Sequence, residues 1–458
     1  MVSNEQLSVG TDLLEAADRA LEHASAGMQT EVVVLGQHLA LTRYSSERIH
    51  QSVSDVWNRV WVRSCAEGGA GWASTADLSG SGLMAAVGEA EANARLRGGD
   101  RIDLASEPPA FEASPYFEAT ANTDAARRAE LAAQHAAQAG ATGINGNLRV
   151  AVQELLIRNS AGLRASLPMT YIALNVVTRD QGGATWYETA IGRDVEALDL
   201  SGTVERALAG VGLAAEPVAI EPGEYRVILD PPAVSMLLTT MGYVGLNAFG
   251  ASVASDDSSY IGSHLGSSIA SSAFSLRDDP TDPAALFTPF DAEGTARRPL
   301  DIIVDGVAAG FAHDRTSAAA AGVSSTGHAL PASMKTPSPL SLSVSPGTAT
   351  REELVQALGD GLIVHRIHPF VSLRGGPKAD LSGTTRDGVL VVRGGEVVGA
   401  ATNVRWSNTM TDLFGSVEAA SSERSVQWMD LPDHSPITSN VPSLLCGAFT
   451  VHASQPLV

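Results

Sequence analysis

The side chains best suited to metal binding or nucleophilic attack are few: eleven histidines and two cysteines in 458 residues. His365 and His368 have a spacing that invites a metal pair. The segment 361–367 alternates as a strand, however, and residues three apart on a strand face opposite sides, so the two would not share an ion. Cys446 stands among Leu444, Leu445 and Phe449 and reads as a small buried apolar residue; no histidine that would activate it is identifiable. His313, Asp314 and Arg315 follow a strand end, where Asp314 and Arg315 either make local hydrogen bonds and an ion pair or touch a substrate or partner. His328 lies with Thr326 in residues 316–334, an uncharged stretch dominated by Ala, Ser and Gly. That composition reads as a mobile loop with His328 in solvent, and such a loop could cover a peptide. Gly68-Gly69 and Gly375-Gly376 lack the strand-to-helix setting of a phosphate-binding loop and read as turns.

These residues need elements to hold them. Asp12 and Glu15 form a capping-box pattern at the head of a helix whose Leu13, Leu14, Ala17, Leu21 and Ala24 share one face. Alternating segments at 31–35, 39–44, 49–53 and 59–65 predict an antiparallel sheet of short strands. Helical patterns follow at 83–94 and 124–139, with strands at 149–157 and 170–178 and a turn opening at Asn159. Punctuation by Pro217, Pro222 and Gly223 suggests a boundary, giving domains 1–216 and 217–458. Beyond it the pattern is strand-rich, with hairpins at Asp305-Gly306 and Gly394-Gly395, a capping box from Thr350 to Glu353, and a helix near 409–420. The fold class expected is α+β: an N-terminal α/β domain with an antiparallel sheet and packed helices, then a C-terminal strand-rich, barrel-like domain.

Residues 231–255 carry no charge and are long enough to cross a bilayer, but Pro231, Pro232, Gly242, Gly245 and Asn247 and the lack of a flanking basic cluster argue for a buried helix. Val234, Leu237, Leu238, Met241, Val244 and Ala248 form its apolar face. Residues 231–263 contain no His, Glu or Cys, so this helix would not bind zinc.

Thirty Lys+Arg against 51 Asp+Glu leave a charge of -21, which disfavours nucleic acid and anionic membranes as partners. Two cysteines make neither a disulfide framework nor a thiolate cage, and a reducing cytoplasm is the expected compartment. Residues 1–10 do not read as a secretory signal.

Spaced blocks carry a resemblance over nearly the whole chain. FTPFDAEG at 287–294, RPLDIIVDG at 298–306, HDR at 313–315 and STGH at 325–328 resemble the TldD/PmbA family of metallopeptidase-related proteins. GWASTADLS at 71–79, NSAG at 159–162, TRDGV at 385–389, GEVVG at 395–399 and FTV at 449–451 agree in order. The resemblance implies that peptidase members carry H-E-x-x-x-H on the helix matching residues 231–250, with a later Cys ligand. Here that stretch falls around residues 239–244, without ligands or base, and Cys446 lies later than the family's Cys. The chain therefore resembles the metal-less PmbA/TldE-type subunit. This implies no cofactor, no catalytic residue and no metal ligand of its own. The implied partners are a TldD-like zinc peptidase subunit and an unfolded or modified peptide, with a homodimer as a further expectation. His313, Asp314, Arg315, Thr326 and His328 are the candidates for lining the substrate cleft. The alternatives are an autonomous hydrolase built on Cys446 or a histidine, and a standalone peptide-binding protein.

Overall fold

The computed structural model describes residues 7–454 apart from 11, 67–68, 97–103, 112, 214–217, 244–248, 252–259, 287, 332–335, 369–371, 375–378 and 431–434. Sheet A contains β1 (Gln29–Ser45), β2 (Ile49–Ala66), β3 (Gly69–Thr75), β4 (Gly143–Asn159), β5 (Arg164–Arg179) and β6 (Thr185–Gly192), in the order β3-β2-β1-β4-β5-β6. Where the sequence predicts four short strands before residue 66, the chain forms two long ones, β1 and β2. Gly36 is not a turn: a Cβ there would lie 2.2 Å from the Leu13 side chain, so its absence lets a helix close onto β1. Residues 54–58 pair straight across β1, Ser54 with Ala40 and Asn58 with Gly36.

Helices α1 (Asp12–Glu22), α2 (Gly80–Leu96), α3 (Glu118–Ala121), α4 (Ala125–Ala139) and α5 (Leu200–Leu213) belong to this half. Alternation along the strands decides where they pack. Val32 and Val34 meet α1 and α2 through Leu13, Ala17, Leu83 and Val87. Leu148, Val150, Ile172 and Leu174 meet Leu131 of α4 and Val204 and Ala207 of α5. Their neighbours Val33, Leu35, Leu155, Ile157 and Met169 point the other way and pack on Phe290 and Ala292. Sheet A is thus covered by helices on one face and by the second half of the chain on the other.

Sheet B contains β7 (Gly223–Leu229), β8 (Leu276–Asp278), β9 (Leu300–Val304), β10 (Val307–Ala308), β11 (Ser341–Val344), β12 (Gly361–Val364) and β13 (Ser372–Arg374). It continues with β14 (Asp380–Thr384), β15 (Val389–Arg393), β16 (Glu396–Ala400), β17 (Val404–Thr409), β18 (Val417–Met429) and β19 (Ile437–Ser454). The main path is β10-β9-β8-β11-β19-β7-β12-β15-β16, with β18 and the β17-β14-β13 branch added through β19. The strand-rich half is as expected, but the sheet is open, not barrel-like: β10 and β16 end the path without meeting. Two pairs, β11 with β19 and β12 with β7, are parallel rather than hairpin-linked.

Among the described residues, helices α6 (Pro231–Tyr243), α7 (Arg315–Ala321), α8 (Arg351–Leu358) and α9 (Met410–Gly415) accompany this sheet. The helix expected near 409–420 stops at Gly415, because Val417 is already paired with Cys446 in β18. Ala233, Val234, Leu237, Leu238 and Met241 of α6 are fully buried in the core, together with Val227, Phe274 and Val441. Their burial explains why an uncharged helix is tolerated there. Among the described residues no helix is long and apolar enough to cross a membrane.

Candidate functional site

The structure brings the five predicted cleft residues together in a hydrogen-bonded knot in which His328 is buried and His313, Asp314, Arg315 and Thr326 are half-buried. Asp314 caps α7 through a reciprocal capping box with Ser317. The Thr326 hydroxyl accepts from the His313 amide at 2.8 Å and donates to the His313 carbonyl at 3.0 Å. His328 Nδ1 lies 2.8 Å from that hydroxyl and Nε2 lies 2.9 Å from Asp278 Oδ2. The Arg315 amide donates to Glu293 Oε2 at 2.8 Å. The expectation of a solvated His328 on a mobile loop is overturned: residues 315–321 are helical and His328 is 1% exposed. Its partner Asp278 also accepts from Arg297 Nη2 at 2.9 Å and the Ser341 amide at 2.7 Å. Burial raises Asp278's pKa, but Arg297 and His328 overcome it and hold the carboxyl below the usual range.

This knot continues into sheet A. Arg63 of β2 donates to Glu31 at 2.7 Å and to Glu293 at 2.5 Å, all three nearly inaccessible to solvent. Burial pushes Glu31 up to about 7 against the pull of Arg63, and burial plus the neighbouring Glu293 pushes Asp291 up to about 7. The arrangement joins the two halves of the molecule, which is a structural task.

The concave surface lies elsewhere. A cleft of about 1570 Å³ is bounded by the free edge of β6 from Trp186 onward, Phe111 and Phe117, α5, the start of α6, and β18 at residues 423–427. Arg297 alone of the knot reaches it. The cleft exceeds the few hundred to 1,000 Å³ of an ordinary small-molecule pocket and has the scale of an extended peptide segment. At one end four elements converge on Asp230, the residue between β7 and α6. Arg351 at the head of α8 binds it through two nitrogens, Nε to Oδ1 at 3.0 Å and Nη2 to Oδ2 at 2.9 Å. Ser443 of β19 donates to Oδ1 at 3.0 Å, and His365 after β12 reaches Oδ2 through Nδ1 at 3.1 Å. Burial opposes the charge of Asp230, yet Arg351 and His365 hold its carboxyl below the usual range. The serine donates to the aspartate rather than the histidine, and both ring nitrogens of His365 are engaged, so these residues do not form a nucleophile–base pair.

Cys446 is fully buried on β19 opposite Val227, and burial pushes its thiol up, which leaves no reactive thiolate. His365 is buried, while His368 lies beyond the end of β12 with burial and the nearby Arg386 and Arg366 lowering its pKa. Among the described residues no group of three His, Cys, Asp or Glu could hold a metal.

The sequence matches the model of the PmbA/TldA metallopeptidase C-terminal domain over residues 222–453, half of the chain. This protein therefore belongs to the PmbA/TldD family. Its fold is similar to that of a Thermotoga maritima protein described as a candidate modulator of a DNA gyrase, at TM-score 0.81 and 19% identity over 96% of this chain and 99% of that one. It is equally similar in plan to TldE from Thermococcus kodakarensis, at TM-score 0.79 and 20% identity over 97% and 100%. A Bacteroides thetaiotaomicron protein, also described as a candidate gyrase modulator, follows at 0.76 and 17% over 96% and 98%. No curated protein matches the sequence.

Zinc, the metal that the family resemblance implies for peptidase members, does not fit the described residues on α6. Thr239, Thr240 and Met241 are buried, and Gly242 has Phe249 3.3 Å from where its Cβ would be. None offers an imidazole, thiolate or carboxylate. Sequence reasoning missed Asp230, Arg351 and Ser443. The signal available was a lone carboxylate between an apolar strand and an uncharged helix, a position that demands buried partners.

Proposed function

We propose that this chain is the zinc-free, non-catalytic subunit of a two-chain TldD/TldE-type metallopeptidase acting on unfolded or modified peptides in the cytoplasm. The observation that carries the reading is a peptide-sized cleft ending at a helix, α6, with no metal-binding side chain. The substrate-facing role passes from His313, Asp314, Arg315, Thr326 and His328 to the cleft wall. There the free edge of β6 and the apolar rings of Phe111 and Phe117 offer an extended chain both backbone partners and contact area. The hydrolysis itself would take place on the partner's metal.

The test is reconstitution. This chain should retain far less than one equivalent of zinc after dialysis and show no peptidase activity alone, and it should raise turnover of an unstructured peptide when mixed with a TldD-like chain. One tight zinc per chain, or turnover by this chain alone, would overturn the reading. Peptide binding by this chain without any effect on a partner would favour a standalone binding protein.

A further inference from the structure

The free edge of β6 is fastened to the second half of the molecule at a handful of points. Thr185 Oγ1 donates to Asp387 at 2.9 Å, Trp428 Nε1 donates to Thr189 Oγ1 at 2.7 Å, and the Arg366 guanidinium lies 3.5 Å from the centre of the Tyr187 ring. Between them sits His365. Its Nε2 is 2.7 Å from the Tyr187 carbonyl oxygen and its Nδ1 is 3.1 Å from Asp230 Oδ2. A carbonyl and an ionised carboxylate only accept hydrogen bonds, so a ring that satisfies both carries a hydrogen on each nitrogen and is an imidazolium. The Trp186 indole stacks on it at 3.9 Å between centroids, presenting a π face to the cation.

The charged groups around the ring come from each element packed there. Asp230 follows β7, and Glu188 of β6 lies 3.8 Å from Nε2. Arg351 of α8 is neutralised by Asp230, and Arg366 by Asp387, which Arg386 also approaches at 3.4 Å. Burial works against a charged His365, but the bond to Asp230 and the charge of Glu188 outweigh it and lift the ring's pKa above its ordinary value.

We propose that His365 is a proton-dependent latch: charged, it ties the free edge of β6 to Asp230; neutral, it releases Tyr187 and frees that wall of the cleft. Electrostatics selects the bond that breaks. One remaining hydrogen stays on Nδ1 against the carboxylate, leaving the Nε2 lone pair facing the Tyr187 carbonyl oxygen, a repulsive contact at the observed separation. Because the folded pKa is raised, the latch is fully engaged below the unfolded value of about 6.5 and is lost as pH rises through the folded value. Trp186 and residues 188–194, on either side of Tyr187, line the cleft, so its width follows the proton. Nothing in this device depends on a partner chain.

Two measurements on the isolated, isotope-labelled chain test it. Histidine ring NMR, with the His365 signal identified by its loss in His365→Gln, should show a doubly protonated ring at pH 6 that titrates above about 6.5. Amide exchange of residues 185–192, corrected for intrinsic rates, should be about tenfold faster at pH 9 than at pH 6 in the natural chain. In His365→Gln, which cannot be charged, that pH dependence should vanish. A His365 neutral at pH 6, or equal β6 protection at both pH values, would overturn the proposal. If the variant does not fold, titration and exchange in the natural chain decide the matter.

Discussion

Arg63→Met removes the cation from a site where two carboxylates converge. Arg63, Glu31 and Glu293 have side chains no more than 5% exposed, so neither carboxylate has water to replace the guanidinium. Breaking a buried pair from one side typically costs about 3–5 kcal/mol. Loss of the stacking of Arg63 over Trp72, at 5.0 Å, adds about 0.5–1 kcal/mol. The loss should depend on pH in a definite direction. Glu31 is already pushed up to about 7 with Arg63 present. Without the cation Glu31 rises further, so above about pH 7 the folded variant keeps a proton that the natural chain has already given up. Each pH unit between the natural and the further raised pKa of Glu31 adds about 1.4 kcal/mol to the loss, so the variant should be most damaged at alkaline pH. Urea unfolding followed by tryptophan fluorescence, at pH 5.5 and pH 8, measures both effects. Adding Glu31→Gln and Glu293→Gln to Arg63→Met should recover much of the loss, because no unpaired charge remains. A loss below about 1 kcal/mol, the size of an exposed pair, or one equal at both pH values would refute the reasoning.

Two further outcomes follow from burial. Cys446→Ala should lower stability by about 1–2 kcal/mol through a small cavity, leave peptide cleavage by a reconstituted pair unchanged, and the native thiol should resist aromatic disulfide reagents; rapid labelling of folded protein would contradict its placement in β19. His328→Ala strips the ring from Asp278 and Thr326 and should cost about 2–4 kcal/mol, whereas an unchanged unfolding midpoint would restore the picture of a solvated loop.

The parts of the fold that were legible in the sequence are those decided within a few residues. The capping box at Thr350 and Glu353 forms as expected, and Asp305-Gly306 turns the β9–β10 hairpin with φ of 46° and 80°. Strands such as β14, β17 and β18 escaped because their residues are only partly apolar: Ser382 pairs with Ser407, and Gln427 with Ser439. The uncharged stretch at 316–334 misled for a related reason, since small residues suit tight packing as well as mobility. Gly327, at φ of 75°, would place a Cβ 2.3 Å from the Ala296 carbonyl oxygen, so here glycine presses two chain segments together.

The Asp230 cluster shows what register alone supplies. Asp230 and Ser443 are 213 positions apart and belong to no common motif. In sheet B, however, Leu229 is paired with Val364 on one side and with Leu444 on the other. Strand β12 runs parallel to β7, so the residue after Leu229 meets the one after Val364; β19 runs antiparallel, so it also meets the one before Leu444. Those three residues are Asp230, His365 and Ser443. A sequence reading that names the strands but not their directions cannot bring them together, and an error of one position in either pairing would send the side chains to opposite faces. The meeting of the acid, the histidine and the serine at this end of the cleft is therefore encoded in the pairing of β7 with a parallel neighbour on one side and an antiparallel one on the other.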